Sequence, residues 1–447
     1  EETELKEKVR KRKDKNKEQG EEEHIIYSWK QLIEEGKNAI ALGDRQFIDA
    51  EVLGTDPAVI LYTSGTTGFA KGVVLTHRNI VDDLMMAPTL LKVHPEDIFF
   101  SVLPVHHTYE CTCAFLMPLY KGASIAFCEG LKYIAKNLQE IRPTMLLGVP
   151  VLIETLYKKI WKTAKSEGKD KKLEKLMKLN KKTKKLNINI AKKLAKDILD
   201  VFGGRMRVLI SGGAAIDPKI LQFFNDLGII AVQGYGLTEC SPMTALNPDV
   251  EKDMKNDSVG HLLPGMKVKI VDADEEGIGE ICFKGPNVML GYYNNQEATD
   301  EVLKDGWFHT GDLGRVDTDS FIYITGRKKN VIITENGKNV FPEELEYELS
   351  HIPYIAESMV WGDNEGEDVN NTTIAATVTL DDEEVKEVLG EEYTDEQAQN
   401  LVWGEIDKIN ERLPLFKKIK KLNIRKTDFN KTTGMKIKRF VESNKDA

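Results

Sequence analysis

Residues 61–74 read LYTSGTTGFAKGVV, an apolar lead that breaks into a stretch of hydroxyls, glycines and one lysine. Gly65, Gly68 and Gly72 let the backbone turn tightly and bring its N–H groups close to an anion. The hydroxyls of Thr63, Ser64, Thr66 and Thr67 and the ammonium of Lys71 add donors, so the stretch reads as a phosphate loop. It is not the common nucleotide loop GxxxxGK[ST]. Ala70 stands where the second glycine belongs, and Gly72 stands where a magnesium-binding hydroxyl follows the lysine. A GTPase or ordinary ATPase reading loses its key ligand. Taken alone, the string could also be a glycine- and threonine-rich surface turn.

Outward from this loop, apolar runs at AVILY (58), IFFSVL (98), ASIAF (123), TMLLGV (144), MRVLI (206) and IIAVQ (229) alternate with helical periodicity. Helices are expected near 78–91, 109–120, 131–141, 150–165 and 217–227, the last opened by Asp217 and Pro218 as cap and first turn. This alternation predicts a parallel sheet covered by helices, with the phosphate loop between a strand and a helix. After Pro264 short strands and turns take over (KVKIVDAD, GEICFKG, FIYIT), and a boundary is expected near Arg327. Beyond it VIIT, PEELEYEL, IAESMVW, TTIAATVTL and two helices near 383–390 and 395–412 make a small α+β portion. The expected organisation is a charged linker or solvated helix over 1–24 and an α/β domain over 25–326, mostly parallel sheets with helices, whose β-rich part covers about 264–326. A small α+β domain follows over 327–447.

The chain has 447 residues, and its 62 basic and 72 acidic side chains give a net charge of −10. That balance gives no reason to expect nucleic acid as a partner. No apolar stretch approaches the roughly 20 residues that cross a bilayer, and the charged opening is no secretory signal, so a cytoplasmic location is expected. Cys111, Cys113, Cys128, Cys240 and Cys282 show no zinc-like spacing and read as reduced packing residues. The lysine-rich region 158–197 is either a solvated face or a surface for anionic lipid at the inner membrane face, or for the phosphates of a ligand.

Three further strings carry chemistry. QGYGLTECSP (233–242) follows the strand IIAV, and ligands of α/β sheets bind at strand carboxyl ends. Its Tyr235 can offer a ring to a flat base, Thr238 a hydroxyl to a phosphate, and Glu239 a hard oxygen to Mg²⁺. GWFHTGDLG (306–314) places Asp312 in a glycine-flanked turn, where a carboxylate can accept both hydroxyls of a ribose. GRKKNVIITENGKNVFPEELE (326–346) follows at once.

In order and approximate spacing these strings resemble the adenylate-forming (AMP-binding) superfamily, from about residue 45 to the end of the chain. The resemblance implies that Thr63, Ser64, Gly65, Thr66, Thr67 and Gly68 hold the β- and γ-phosphates of ATP, with Lys71 assisting. It implies an adenine site at Gly213, Ala214 and Tyr235, phosphate and magnesium contacts at Thr238 and Glu239, and ribose ligands at Asp312 and Arg327. Lys329 corresponds to the hinge of a mobile C-terminal domain, and Gly337 to the loop that closes on pantetheine. TTGMKIKR aligns Lys436 with the catalytic lysine, although Met435 occupies the place of the usual glycine. LPVHHTYE (103–110) resembles the substrate-side motif, which makes His107 a candidate near the acyl site. HHTYE and the basic helical region look most like the bacterial-type long-chain fatty acid–CoA ligases.

The implied activity consumes ATP, with Mg²⁺, to convert a fatty acid to acyl-AMP and pyrophosphate, then transfers the acyl group to CoA. Transfer to a carrier protein is one alternative, and a non-catalytic nucleotide-binding protein is another. Family members carry more sheet and helix ahead of the threonine-rich loop than residues 1–60 provide, so part of that N-terminal segment is expected to lie outside this chain.

Overall fold

Near-continuous apolar runs form the centre of the molecule because strands covered by helices on both faces must bury both sets of side chains. The computed structural model describes residues 27–63, 70–183, 200–334, 338–364, 372–431, 437–439 and 441–446. The chain divides into two compact units, Glu1–Leu53 and Gly54–Ala447. In the first, the helix Trp29–Ala41 opens with a capping box between Ser28 and Gln31, and none of its residues is buried.

In the second unit, strands Ser124–Phe127, Ile98–Ser101, Met145–Gly148, Val208–Ser211 and Ile230–Gly236 lie side by side and parallel. Their side chains alternate between two cores, as the two-residue period of a strand requires. Phe100, Leu146, Leu209 and Ala231 enter a core shared with helices Pro150–Ser166 and Pro218–Asp226. Phe99, Met145, Leu147, Val208, Ile210 and Val232 enter the opposite core. The helix Pro150–Ser166 buries Ile153, Leu156, Ile160 and Ala164, a stripe at three- and four-residue steps. Helix Pro218–Asp226 begins as expected, with the Asp217 carboxylate accepting from Lys219 N.

Four expectations need correction or refinement. The AVILY run does not join the parallel sheet. Strand Pro57–Thr63 pairs antiparallel with Lys71–Thr76, and with Gly291–Tyr292 they form a separate three-stranded sheet. The phosphate loop therefore lies in a hairpin, between two strands. The β-rich part continues the central sheet through Met243–Leu246, Gly260–Leu262, Phe321–Arg327, Trp307–Val316, Gly279–Lys284 and Lys267–Val271, all paired antiparallel. Asp312 belongs to strand Trp307–Val316 and pairs with Arg327, so it is not in a turn. The helix expected at 109–120 opens as a π-helix over Tyr109–Leu116 before an α-helix over Met117–Lys121.

The C-terminal portion builds its own core from residues between Ile332 and Leu422. Strands Ile355–Asn364 and Thr372–Leu380 are antiparallel, Lys421–Arg425 is parallel to the second, and helices Pro342–Leu349, Asp382–Leu389 and Asp395–Arg412 pack around them. Part of the basic surface meets this portion, with Lys162 bonded to Glu383 at 3.0 Å and Lys165 at 4.0 Å from Glu387. Residues 184–197 of the lysine-rich region lie outside the described residues.

Candidate functional site

The hairpin sets Thr63 opposite Lys71 at the two edges of the loop. Segment 289–293 runs along the far side of strand Lys71–Thr76. Its Leu290 and Tyr293 amides donate to Val74 O and Gly72 O at 3.0 and 2.7 Å. The Lys71 ammonium lies 4.9 Å from the centre of the Tyr292 ring, within cation–π range. The Tyr292 hydroxyl donates to Glu239 Oε1 at 2.9 Å, and its own proton is held above the usual phenol range by burial and by that carboxylate. Beside Glu239, the Thr238 hydroxyl accepts from Thr108 Oγ1 at 3.4 Å, which joins the HHTYE string to the YGLTE string.

A second chain of contacts starts at Tyr235, near the end of strand Ile230–Gly236. Its hydroxyl donates to Asp312 Oδ2 at 2.5 Å, while Arg327 Nε lies 2.9 Å from Asp312 Oδ1. Burial and then the Asp312 charge push the Tyr235 phenol well up, so it stays a donor. Next to Tyr235, Gly236 packs so closely on the chain entering strand Met243–Leu246 that an added Cβ would stand 2.2 Å from Pro242 O. Gly213 and Ala214 are exposed in the turn after Val208–Ser211, where Gly213 has φ +85°. Tyr109 braces that turn: its hydroxyl donates to Ile210 O at 3.1 Å, and a Cβ on Gly212 would meet its ring at 2.9 Å.

The expected hinge falls between two sets of anchors. On the body side, Arg327 is paired with Asp312, and the Lys328 ammonium bonds Glu280 Oε2 at 3.0 Å. Burial would raise the Glu280 carboxyl. Lys328, His309 and the Gly311 N–H outweigh burial and hold it below the ordinary range. On the other side, Asn330 Nδ2 donates to Glu343 Oε1 at 2.7 Å, in helix Pro342–Leu349. Lys329 is the residue between.

At the substrate-side motif His107 is exposed, and its Nδ1 accepts from Tyr109 N at 3.2 Å. Behind it the Glu110 side chain is fully buried. Its Oε1 accepts from Ser101 Oγ at 2.5 Å, and among the described residues no hydrogen bond of ordinary geometry reaches Oε2. Burial pushes the carboxyl up to about 7, against the pull of Ser101 and the Leu103 and Val102 N–H groups. Among the described residues no cluster of three or more His, Cys, Asp or Glu side chains could hold a metal by itself. One carboxylate beside a hydroxyl, Glu239 with Thr238, fits an ion such as Mg²⁺, which takes one or two protein carboxylates and completes its shell with phosphates and water.

Of the residues singled out in the sequence, Thr63, Lys71, Thr238 and Glu239 are joined through Tyr292 and the hairpin, and Tyr235, Asp312 and Arg327 form one hydrogen-bonded chain. Ser64, Gly65, Thr66, Thr67, Gly68, Gly337 and Lys436 lie outside the described residues. Tyr292, Glu110 and Glu280 were not foreseen as individual residues. Glu110 and Glu280 stood inside quoted strings, and GYYNN (291–295) around Tyr292 carried no distinguishing signal.

A profile of the AMP-binding enzyme family matches residues 1–293. The long-chain-fatty-acid–CoA ligase FadD15 of Mycobacterium bovis is 30% identical over 431 residues, which cover 89% of this chain and 69% of that protein. Fatty acyl-CoA synthetase A of Dictyostelium discoideum is 33% identical over 367 residues, 77% of this chain and 53% of that protein, so the chain spans about half the length of that relative. Among solved structures, ATP-bound MatB from Rhodopseudomonas palustris superposes with a TM-score of 0.68 at 27% identity, covering 92% of this chain and 72% of that one.

Proposed function

The chain belongs to the AMP-binding enzymes, and on that premise we propose that it activates a long-chain fatty acid with ATP and passes the acyl group to CoA. The observation that supports this reading most is the joining of separate strings. Lys71 of the threonine-rich hairpin reaches Glu239 of YGLTE through Tyr292, the adjacent Thr238 bonds Thr108 of HHTYE, and Tyr235 of the preceding strand leads to Asp312 and Arg327.

A carboxylate resists a thiol because it is anionic and would have to expel an oxide. In the first half-reaction the acid oxygen attacks the α-phosphorus of ATP, an O–P bond forms, and pyrophosphate leaves with the electrons of the broken bond. Tyr235 faces the adenine and Asp312 accepts from the ribose, held in place by Tyr235 and Arg327. The loop amides, Thr63 and Lys71 bind the polyphosphate. Mg²⁺ held by Glu239 and Thr238 would supply positive charge against the phosphate oxygens. Lys436 adds an ammonium at the reacting centre. In the second half-reaction the CoA sulfur attacks the acyl carbon and AMP departs. Residues through 328 are tied to the body and Asn330 to the far side, so the small domain turns at Lys329 and brings the Gly337 loop to the pantetheine. The same proposal places the enzyme in the cytoplasm, with the exposed Lys158, Lys159, Lys171, Lys172, Lys175 and Lys178 against anionic lipid.

Pyrophosphate release measured across C2 to C18 acids, with and without CoA, tests the reading. Release is expected to require a long-chain acid, with acyl-CoA formed once CoA is present. Acid-independent release, or transfer to a carrier protein alone, would overturn it.

A further inference from the structure

Between the cation of the phosphate hairpin and the carboxylate of the YGLTE turn stands a single tyrosine. Segment 289–293 is stitched to both neighbours by backbone bonds, Leu290 and Tyr293 to the hairpin strand and the Met289 amide to Glu239 O at 2.8 Å. The Tyr292 ring belongs to a small core with Val73, Leu75, Cys240, Met289, Ala298 and Phe308, so it cannot swing away. One face meets the Lys71 ammonium, and the hydroxyl donates to Glu239 Oε1. Among the described residues no other side chain donates to the Glu239 carboxylate, and Lys71 makes no ion pair.

From this we propose that Tyr292 is a positioning residue that orients the Glu239 carboxylate for the metal ion and keeps Lys71 from pairing with it. The inference rests on the reading of Glu239 as the metal site. The physical reason is the choice open to two opposite charges at a phosphate site. Paired directly, the ammonium and the carboxylate would neutralise each other and leave less for polyphosphate and metal. With an aromatic ring between them, the cation is satisfied by the ring face. The anion is fixed through one oxygen by a neutral donor, and Oε2 is left for the metal. Outer groups that orient a metal ligand in this way typically change metal affinity by about 10- to 100-fold.

The test is ATP binding to the full chain by calorimetry as Mg²⁺ is titrated, for wild type, Y292F, E239Q and the double variant. Y292F keeps the ring and its packing and removes only the hydroxyl. It is expected to need about 10- to 100-fold more Mg²⁺ to reach the wild-type gain in ATP affinity, with binding in EDTA unchanged. E239Q is expected to lose the Mg²⁺-dependent gain, and Y292F is expected to cost nothing further in that background. If Y292F melts well below wild type, both proteins are titrated at a temperature where Y292F is fully folded; the same shift in Mg²⁺ is expected. A Y292F titration that overlays wild type, an equal loss in Mg²⁺ and in EDTA, or an additive double variant overturns the role of Tyr292. If E239Q itself keeps the full gain, the metal-site reading falls and this inference falls with it.

Discussion

Replacing Glu110 by glutamine should change how stability depends on pH more than it changes stability itself. The carboxyl is fully buried, and among the described residues no cation pairs with it. Its neighbours, the half-buried Tyr109 and the buried Cys113, are also pushed up in pKa. Its pKa rises from 4.5 to about 7. The folded state therefore holds the proton more tightly than the unfolded chain. Its contribution is fully present below the unfolded value and is lost as pH rises through about 7. Working the two values through the linkage relation gives a loss of about 2.5 kcal/mol between about pH 5 and about pH 8. Glutamine has no proton to lose. Its amide can accept from Ser101 as Glu110 does, while its NH₂ takes the place of Oε2 at a cost of about 1–3 kcal/mol that does not vary with pH. Urea denaturation of both proteins followed by tryptophan fluorescence at the two pH values isolates the term, because other titrating groups cancel in the difference. Wild type should lose about 2.5 kcal/mol relative to E110Q on going to the higher pH. A difference that is flat with pH, or that moves the other way, refutes the account of Glu110 as a carboxyl kept neutral by burial.

Two further substitutions separate the steps of the reaction. Lys436→Ala should lower acyl-AMP formation by about 10²- to 10³-fold, the usual effect of removing one preorganised charge, while the melting temperature stays at the wild-type value. Quenched assays for the adenylate check the first part and a thermal melt the second. Lys329→Pro fixes φ near −65° within the tight turn Lys328–Asn330, so it should spare acyl-AMP formation and slow thioester formation. Equal loss in both half-reactions would contradict the hinge.

Local chemistry was the legible part of the sequence. The glycines and hydroxyls of 63–72, the Asp217–Pro218 helix start and the buried runs of the parallel strands each declare themselves over a few residues. What depends on distant partners did not. AVILY has the same apolar pattern whether its neighbour is parallel or antiparallel, and only the pairing of Thr63 with Lys71 makes it half of a hairpin. Asp312 sits among glycines that suggest a turn, yet its backbone pairs with Arg327 across two strands. The π-helix at Tyr109–Leu116 has the periodicity of an α-helix at this length. Tyr292 and Glu239 are far apart in the chain, so nothing in GYYNN could announce their bond. Burial of Glu110 against Ser101 likewise arises from the way the π-helix packs on the end of strand Ile98–Ser101.

In the proposed reaction an acid oxygen, and no water or protein group, attacks the α-phosphorus of ATP at the site gathered around Lys71, Glu239, Tyr235 and Asp312. A long-chain fatty acid labelled with ¹⁸O in its carboxylate, turned over with ATP and CoA, tests this by mass spectrometry of the products. One labelled oxygen is expected in AMP and none in pyrophosphate. Unlabelled AMP, or label found with ADP and phosphate, would contradict it.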